Sequence, residues 1–228
     1  MIIITGGSRG IGKFLIDEFI NEFGDKEILG AYNNTKPGSN ETIMHKVDIT
    51  SPENIKEFIH KNKDILKDIV LVNCAGANYN AYAHKASPIK WADLININLI
   101  GTFNMINAVL PIMREDGFGR IINISSVVAQ KGIPGTSAYA ASKSGLWGMS
   151  KAIAVENASK GITVNNLNLG YFQIGMIDSV PLEMQQQIRE SIPLKRFGYP
   201  IEIYKSVKYL MDNAYITGTS MDINGGLT

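Results

Sequence analysis

The chain has 228 residues, 45% of them hydrophobic and 19% charged, and a formal net charge of +1. Enough apolar side chains for a full core exclude a disordered chain, and the near-zero charge offers no field for nucleic acid or an anionic membrane surface. The single cysteine, Cys74, excludes an internal disulfide and reads as a buried structural thiol. His45, His60 and His84 show no ligand spacing, so no metal is expected, and each reads as a surface or loop residue. No apolar run is read as approaching the roughly 18 residues of a membrane span. The first strand begins almost at Met1, leaving no room for a leader, and the expectation is a soluble cytoplasmic protein.

Ile2-Ile3-Ile4 is continuously apolar, as suits a parallel strand covered on both faces. The turn Thr5-Gly6-Gly7-Ser8-Arg9-Gly10-Ile11-Gly12 follows, then a helix with Ile11, Phe14, Leu15, Phe19 and Phe23 at helical spacing. Strand, glycine turn and helix form the context in which backbone amides approach a pyrophosphate at a helix N-terminus. The spacing here is G-x-x-x-G-x-G rather than G-x-G-x-x-G. A second strand is predicted over Glu27–Tyr32. Beyond it, where an acidic side chain would accept from the ribose hydroxyls of NAD, stand Asn33-Asn34-Thr35-Lys36. Amides, a hydroxyl and a lysine accommodate a 2′-phosphate that a carboxylate would repel, so the pattern favours NADP(H) without excluding NAD(H). Arg9 and Lys36 either add cations to that site or are solvated.

A third strand is predicted over Ile43–Val47. Asp48 either contacts an adenine amino group or closes a turn, and Ser51-Pro52 starts a helix that buries Ile55, Phe58 and Ile59. The fourth strand, Ile69–Asn73, runs into Cys74-Ala75-Gly76, small residues that let a ligand reach the backbone. Asn73 reads as a structural amide bonding backbone between strands. Ala77–Ala86 reads as a substrate-side loop. A long helix is predicted from about Trp91 to Met113; Asn98 in its middle either bends it or holds a water chain, and Gly101 allows close packing.

Gly119–Ser126 reads as the fifth strand and Ile162–Leu167 as the sixth. Between them lies a helix to about Lys160 carrying Tyr139 and Lys143 four residues apart, on one face. With Ser126 at the preceding strand end, a phenol, an ammonium and a hydroxyl converge, the parts needed to move a proton onto or off a substrate oxygen. Ser125 points to the other face. Residues 171–191 loosen and are placed like a substrate lid or a surface excursion. A helix from Pro200 and a strand at Ser220–Ile223 finish the chain. Strands alternating with helices, without repeat or linker, predict one α/β domain over 1–228, a Rossmann-type doubly wound parallel sheet of seven strands with helices on both faces.

The chain resembles the short-chain dehydrogenase/reductase superfamily in its single-domain branch, and is similar to the bacterial 3-oxoacyl acyl-carrier-protein reductases. The resemblance covers essentially the whole chain through Thr5–Gly12, Asn73-Cys74-Ala75-Gly76, Asn98, Ser126, Tyr139-x-x-x-Lys143 and Asn224-Gly225-Gly226. It implies Tyr139 as general acid or base, Lys143 holding the nicotinamide ribose and lowering the Tyr139 pKa, Ser126 polarising the carbonyl, and Asn98 supporting a relay water beside Lys143. The expected cofactor contacts are Gly6, Ser8, Arg9, Gly10, Ile11, Gly12, Asn33, Asn34, Thr35, Asp48, Ile49, Asn73, Ala75, Gly76, Tyr139, Lys143 and Gly170. Two positions depart from the pattern: Leu169 stands where the family has Pro, and Ile174 where it has a cofactor-contacting Thr. Residues 33–42 are short for the usual connection, so a helix there is expected to be reduced or missing.

The implied activity is NADP(H)-dependent reduction of a small-molecule carbonyl to a secondary alcohol, with a 3-oxoacyl thioester as substrate by analogy. Oxidation of an alcohol or sugar, and dinucleotide sensing without catalysis, are the alternatives. An acyl carrier protein would want a basic rim, for which Lys85, Arg114 and Arg120 are the cations at hand. The resemblance implies a homotetramer, and small residues around Gly145–Gly148 with the Asn98 helix suggest a helix-to-helix interface.

Overall fold

The computed structural model describes residues 1–38 and 40–228; Ser39 and the side chains of Glu41, Met176 and Ser179 lie outside the described residues. Seven strands form one sheet: β1 (Ile2–Thr5), β2 (Ile28–Tyr32), β3 (Met44–Lys46), β4 (Val70–Asn73), β5 (Gly119–Ser126), β6 (Ile162–Leu169) and β7 (Ser220–Ile223). All neighbours pair in parallel, in the order β3-β2-β1-β4-β5-β6-β7. The order reverses between β1 and β4, the switch point at which such sheets bind ligands. Because every strand points the same way, the glycine turn, Asn73–Gly76, Ser126 and Gly170 all follow strand ends at one edge.

The helices are α1 (Gly10–Phe23), α2 (Pro52–Asn62), α3 (Pro88–Ile95), α4 (Gly101–Asp116), α5 (Ser137–Asn157), α6 (Leu182–Ser191) and α7 (Pro200–Asp212). Ser51 and Ser87 cap α2 and α3, each accepting from a backbone N–H in the first turn, with a proline next in sequence. On one face α1 and α7 bury Leu15, Ile16, Phe19, Ile203, Val207 and Leu210 against Ile2, Ile4, Val72 and Ile122. On the other, α2, α4 and α5 bury Ile55, Phe58, Met105, Val109 and Ile153 against Ile3, Leu71 and Ile121. Alternation along each strand divides its side chains between the two cores.

Among the described residues no α-helix joins β2 to β3; a 3-10 turn, Glu41–Ile43, precedes β3. Met44 takes over the packing. A Cβ on Gly30 would stand 2.1 Å from Met44 Sδ, and one on Gly7 3.2 Å from Met44 Cε. A flexible thioether thus lies flat over two glycine-bare patches that a helix would otherwise cover.

The predicted long helix is three segments. Between α3 and α4 lies a π turn, Asn96–Ile100. One extra residue in this turn is what sets Asn98 facing inward, fully buried. The reading that no apolar run reaches membrane length needs correction. An 18-residue window within Pro88–Asp116 has mean hydropathy 1.3. Its polar residues, Asn96, Asn98, Asn104 and Asn107, interrupt the apolar run without lowering the mean below that of a span. In the fold this helix is a core wall, packed through Leu94, Asn98, Thr102, Met105, Ile106 and Val109.

Candidate active site

The glycine turn is built for a close approach. Gly6 and Gly10 have φ of +69° and +55°, where a side chain is strained. A Cβ on Gly12 would fall 2.3 Å from Gly6 O, and one on Gly6 2.8 Å from Ala75 Cα. The turn therefore rests directly on the loop after β4, while Gly10 lies under Gly175. Helix α1 begins with no side-chain cap and no acidic residue in its first turn. Its first amides and its dipole thus face outward with nothing negative to compete for them. Arg9, Asn33, Asn34, Thr35 and Lys36 are exposed beside this end of the sheet. Asp48 takes the turn-closing role: Oδ1 accepts from Thr50 N at 2.9 Å and Thr50 Oγ1 at 2.7 Å. Burial would raise its carboxyl, but these bonds and one with Asn33 hold it below the ordinary value. Ile49 is buried against Gly101, whose Cβ would meet Ile49 Cδ1 at 2.8 Å.

Asn98, Ser126, Tyr139 and Lys143 come together at the ends of β4 and β5. A Cβ on Gly76 would lie 3.3 Å from Asn98 Oδ1 and 3.7 Å from Lys143 Nζ, so these three meet at one point. The Asn98 amide is fully engaged. Oδ1 accepts from Ala77 N at 2.8 Å, and Nδ2 donates to Ala77 O at 3.0 Å and Ser142 Oγ at 3.1 Å. Its side chain therefore pins the loop after β4 to α5. Lys143 Nζ donates to Ile124 O at 2.7 Å. The Tyr139 ring is buried with Leu94 and Ala138, packed by Ala77, Tyr79, Trp91 and Val128. The two substrate-side loops are joined by Ala81 N donating to Gly135 O at 2.8 Å.

Burial decides the electrostatics. It pushes the Tyr139 phenol up to about 12, against a hydrogen bond with the Ser126 hydroxyl. It pushes the Lys143 ammonium down to about 8, against the attraction of Cys74. The Cys74 thiol rises to about 12 by burial, with Lys143 opposing. The expectation that Lys143 lowers the Tyr139 pKa is not met. The ammonium is engaged by Ile124 O and stands 5.7 Å from the Tyr139 ring centroid, and the phenol is raised by desolvation against the Ser126 hydrogen bond alone.

Beneath this cluster run two polar rows that the sequence reading missed. The first follows strand register: Asn73 pairs with Asn123, Asn123 with Asn166, and Asn166 with Ser220. Asn73 Nδ2 donates to Asn123 Oδ1 at 2.8 Å, Asn123 Nδ2 to Ser150 Oγ at 2.9 Å, Ser150 Oγ to Asn166 Oδ1 at 2.9 Å, and Asn166 Nδ2 to Ser220 Oγ at 3.0 Å. Asn73 thus bonds a side chain, not the backbone as predicted. Among the described residues its Oδ1 is the buried side-chain polar atom without a partner. The second row is Ser125, Asn168 and Asp222. Trp147 Nε1 donates to Ser125 Oγ at 3.1 Å and Asn168 Oδ1 at 2.9 Å, and Ser125 Oγ donates to Lys143 O at 3.1 Å. Trp147 and Ser150 lie four and seven residues after Lys143, the helical spacing that could have flagged them.

Other candidates fall elsewhere. Arg120 is buried near the start of β5, its guanidinium donating to Met211 O, Gly119 O and Gly161 O, and Arg114 donates to Asn157 Oδ1. Both stand at the opposite end of the sheet from Ser126. His45 is a half-buried strand residue against Phe58, not a loop histidine, and burial lowers its pKa. Gly145 is covered within the chain: its Cβ would meet Leu99 Cδ2 at 2.8 Å, while Gly148 faces open space. Leu169 is buried in the α1/α7 core and Ile174 packs on it, which accounts for an apolar residue at each position.

A profile of the short chain dehydrogenase family matches residues 1–185. The acetoacetyl-CoA reductase of Shinella zoogloeoides is 41% identical over 233 residues, 98% of this chain and 96% of that protein. The nodulation protein G of Azospirillum brasilense is 40% identical over 238 residues, covering 99% and 96%. The 3-oxoacyl acyl-carrier-protein reductase of Haemophilus influenzae is 34% identical over 236 residues, also covering 99% and 96%. A glycine turn on a bare helix start, a parallel sheet reversing beside it and matches over nearly the full length lead to one conclusion: the chain belongs to the short-chain dehydrogenase family and is an oxidoreductase acting on the CH–OH/C=O couple.

Proposed function

We propose that this enzyme is an NADP(H)-dependent reductase of short 3-oxoacyl thioesters. The observation that carries the reading is the meeting of Lys143 Nζ, Asn98 Oδ1 and Gly76 at one point, with the Ser126 hydroxyl beside the Tyr139 phenol. The chain fits a dinucleotide: Gly6, Gly10 and Gly12 leave a cradle that side chains would fill, and α1 offers uncapped amides. Ser8, Arg9 and Ile11 complete that cradle, and the carboxylate-free run Asn33–Lys36 suits a 2′-phosphate. Ala75, Gly76 and Gly170 would border the nicotinamide half, and residues 171–191 would close over it. Bound there, the dinucleotide supplies a hydride to the carbonyl carbon.

The chain's own residues handle the oxygen. Ser126 donates a hydrogen bond to the carbonyl oxygen and polarises it. Tyr139, protonated across the neutral range, gives its phenolic proton to the oxygen as charge develops there. Lys143 holds positive charge close to the resulting phenolate and stabilises it until a proton returns. Asn98 fixes the Ala77 loop against Ser142, so that the wall above Tyr139 stands still.

Relatives named acetoacetyl-CoA reductase support a coenzyme A thioester. A carrier protein finds less support, since of the three cations named for its rim Arg114 and Arg120 are turned to other work at the far end. A homotetramer is supported by exposed Ile100, Phe103 and Val155 on the outer faces of the π turn, α4 and α5. The test is NADPH oxidation with acetoacetyl-CoA, an acetoacetyl carrier protein and keto-sugars, repeated with NADH. The expected result is turnover of acetoacetyl-CoA with NADPH favoured by at least about tenfold. Turnover of keto-sugars alone, or a preference for NADH, overturns the reading.

A further inference from the structure

The second polar row does not stop at the sheet. Asp222, exposed on the edge strand β7, accepts from Asn168 Nδ2 at 2.8 Å through Oδ1. The same carboxylate accepts from Gln130 Nε2, at 2.9 Å through Oδ1 and 3.1 Å through Oδ2. Gln130 Oε1 in turn accepts from Thr228 Oγ1 at 3.1 Å, and Thr228 Oγ1 accepts from Asn224 Nδ2 at 2.7 Å. Gln130 is thus held from two sides by the last strand and the turn after it.

Gln130 ends the short turn that begins at Ser126. Ser126 Oγ accepts from Val128 N at 3.2 Å, and Val127 O accepts from Gln130 N at 3.0 Å and Lys131 N at 2.9 Å. The middle of the turn is fixed by Ser144 Oγ donating to Ala129 O at 3.1 Å. Among the described residues, its far end is hydrogen-bonded to the sheet through the Gln130 side chain. Through Asn168 and Trp147, the same carboxylate is also joined to Ser125 and the backbone carbonyl of Lys143.

We infer that Asp222 is a positioning residue: by accepting from Asn168 and Gln130 together, it sets where the turn after Ser126 stands relative to the Ser126 hydroxyl. Asp222 touches no reacting atom. The inference rests on the reading of Ser126 as the carbonyl contact. An exposed hydrogen bond contributes less than a buried one, so the effect is a shift in substrate affinity rather than loss of activity.

The test compares Asp222→Ala, Gln130→Ala and their double variant with the wild type. Asp222→Ala is expected to raise KM for the carbonyl substrate about fivefold, with kcat within about twofold and KM for NADPH unchanged. Gln130→Ala should do the same, and the double variant no more, because both remove one link. Asp222→Asn with Gln130→Glu reverses donor and acceptor across the pair and should restore KM. Amide exchange over Val127–Lys131 should quicken in Asp222→Ala and return in the reversed pair. Unchanged exchange over that turn, or single effects that simply add, overturns the inference. A wild type that reduces no 3-oxoacyl thioester overturns the substrate reading instead, and the exchange comparison still decides the role of Asp222.

Discussion

Helices α1 and α5 lie on opposite faces of one sheet and are docked by different chemistry. Past its glycine start, helix α1 buries Leu15, Ile16 and Phe19, side chains that gain from contact in almost any rotation. Helix α5 buries Leu146, Ile153 and Ala154, but also Ser142, Lys143, Ser150 and Asn157. Its polar groups meet partners one at a time: Asn98 to Ser142, Ile124 O to Lys143, Asn123 and Asn166 to Ser150. Apolar packing fixes that a helix is present; directional bonds fix its rotation and slide. The helix that carries the proton chemistry is the one held by direction.

The sharpest way to break that contrast is to remove the phenol. Tyr139→Phe should lower kcat about a thousandfold, the range of a lost general acid, while the unfolding midpoint stays put. A variant with full turnover would leave α5 no special task.

Lys143→Met should cost about a hundredfold in kcat and spare stability at pH 7. The sign follows from the lowered pKa. Between the folded value of about 8 and the ordinary 10.5, the unfolded chain holds the proton and the folded chain does not. The wild type should therefore gain stability as pH rises through that window, on the order of 3 kcal/mol from this group alone. Tyr139 works the other way, since its folded pKa of about 12 lies above the ordinary 10.0, so stability falls above pH 10. Denaturant titrations from pH 7 to 10 should show the rise in the wild type and not in Lys143→Met.

Smaller effects set the two faces side by side. Ser150→Ala strands the donor of Asn123 and the acceptor of Asn166, and should cost about 2–3 kcal/mol with about a tenfold drop in turnover as α5 shifts. Ile16→Val in α1 should cost about 1 kcal/mol and leave turnover alone. Equal costs and equal turnover would erase the distinction. The smallest effect is at Cys74, whose side chain packs toward the α1/α7 core although its thiol lies close enough to Lys143 to feel its charge. With its pKa pushed up to about 12, it should resist a thiol-specific disulfide reagent in the native state and react once unfolded.

Much of this was legible in the residues because the signals were local. Ile2–Ile4 and Ile121–Ile124 announce buried parallel strands, and Tyr139 and Lys143 announce a shared helix face by their spacing alone. The missing helix before β3 was readable from length. The π turn was not, because one added residue leaves the apolar period on either side intact. The polar rows were not, because their members become neighbours only through strand register, 54 residues apart in the hydrogen bond from Asn166 to Ser220. The Tyr139 pKa went the opposite way to expectation because burial, a property of the whole fold, outweighs the hydrogen bond with Ser126.

The row from Asn73 to Ser220 also has a polarity. Each of its four hydrogen bonds is donated toward β7, so the amide and hydroxyl dipoles add along a line across the strands rather than along a helix axis. The line's negative end is the unpartnered Asn73 oxygen, at the last residue of β4. The sheet thereby carries a small transverse field whose direction favours positive charge at the β4 end of the row.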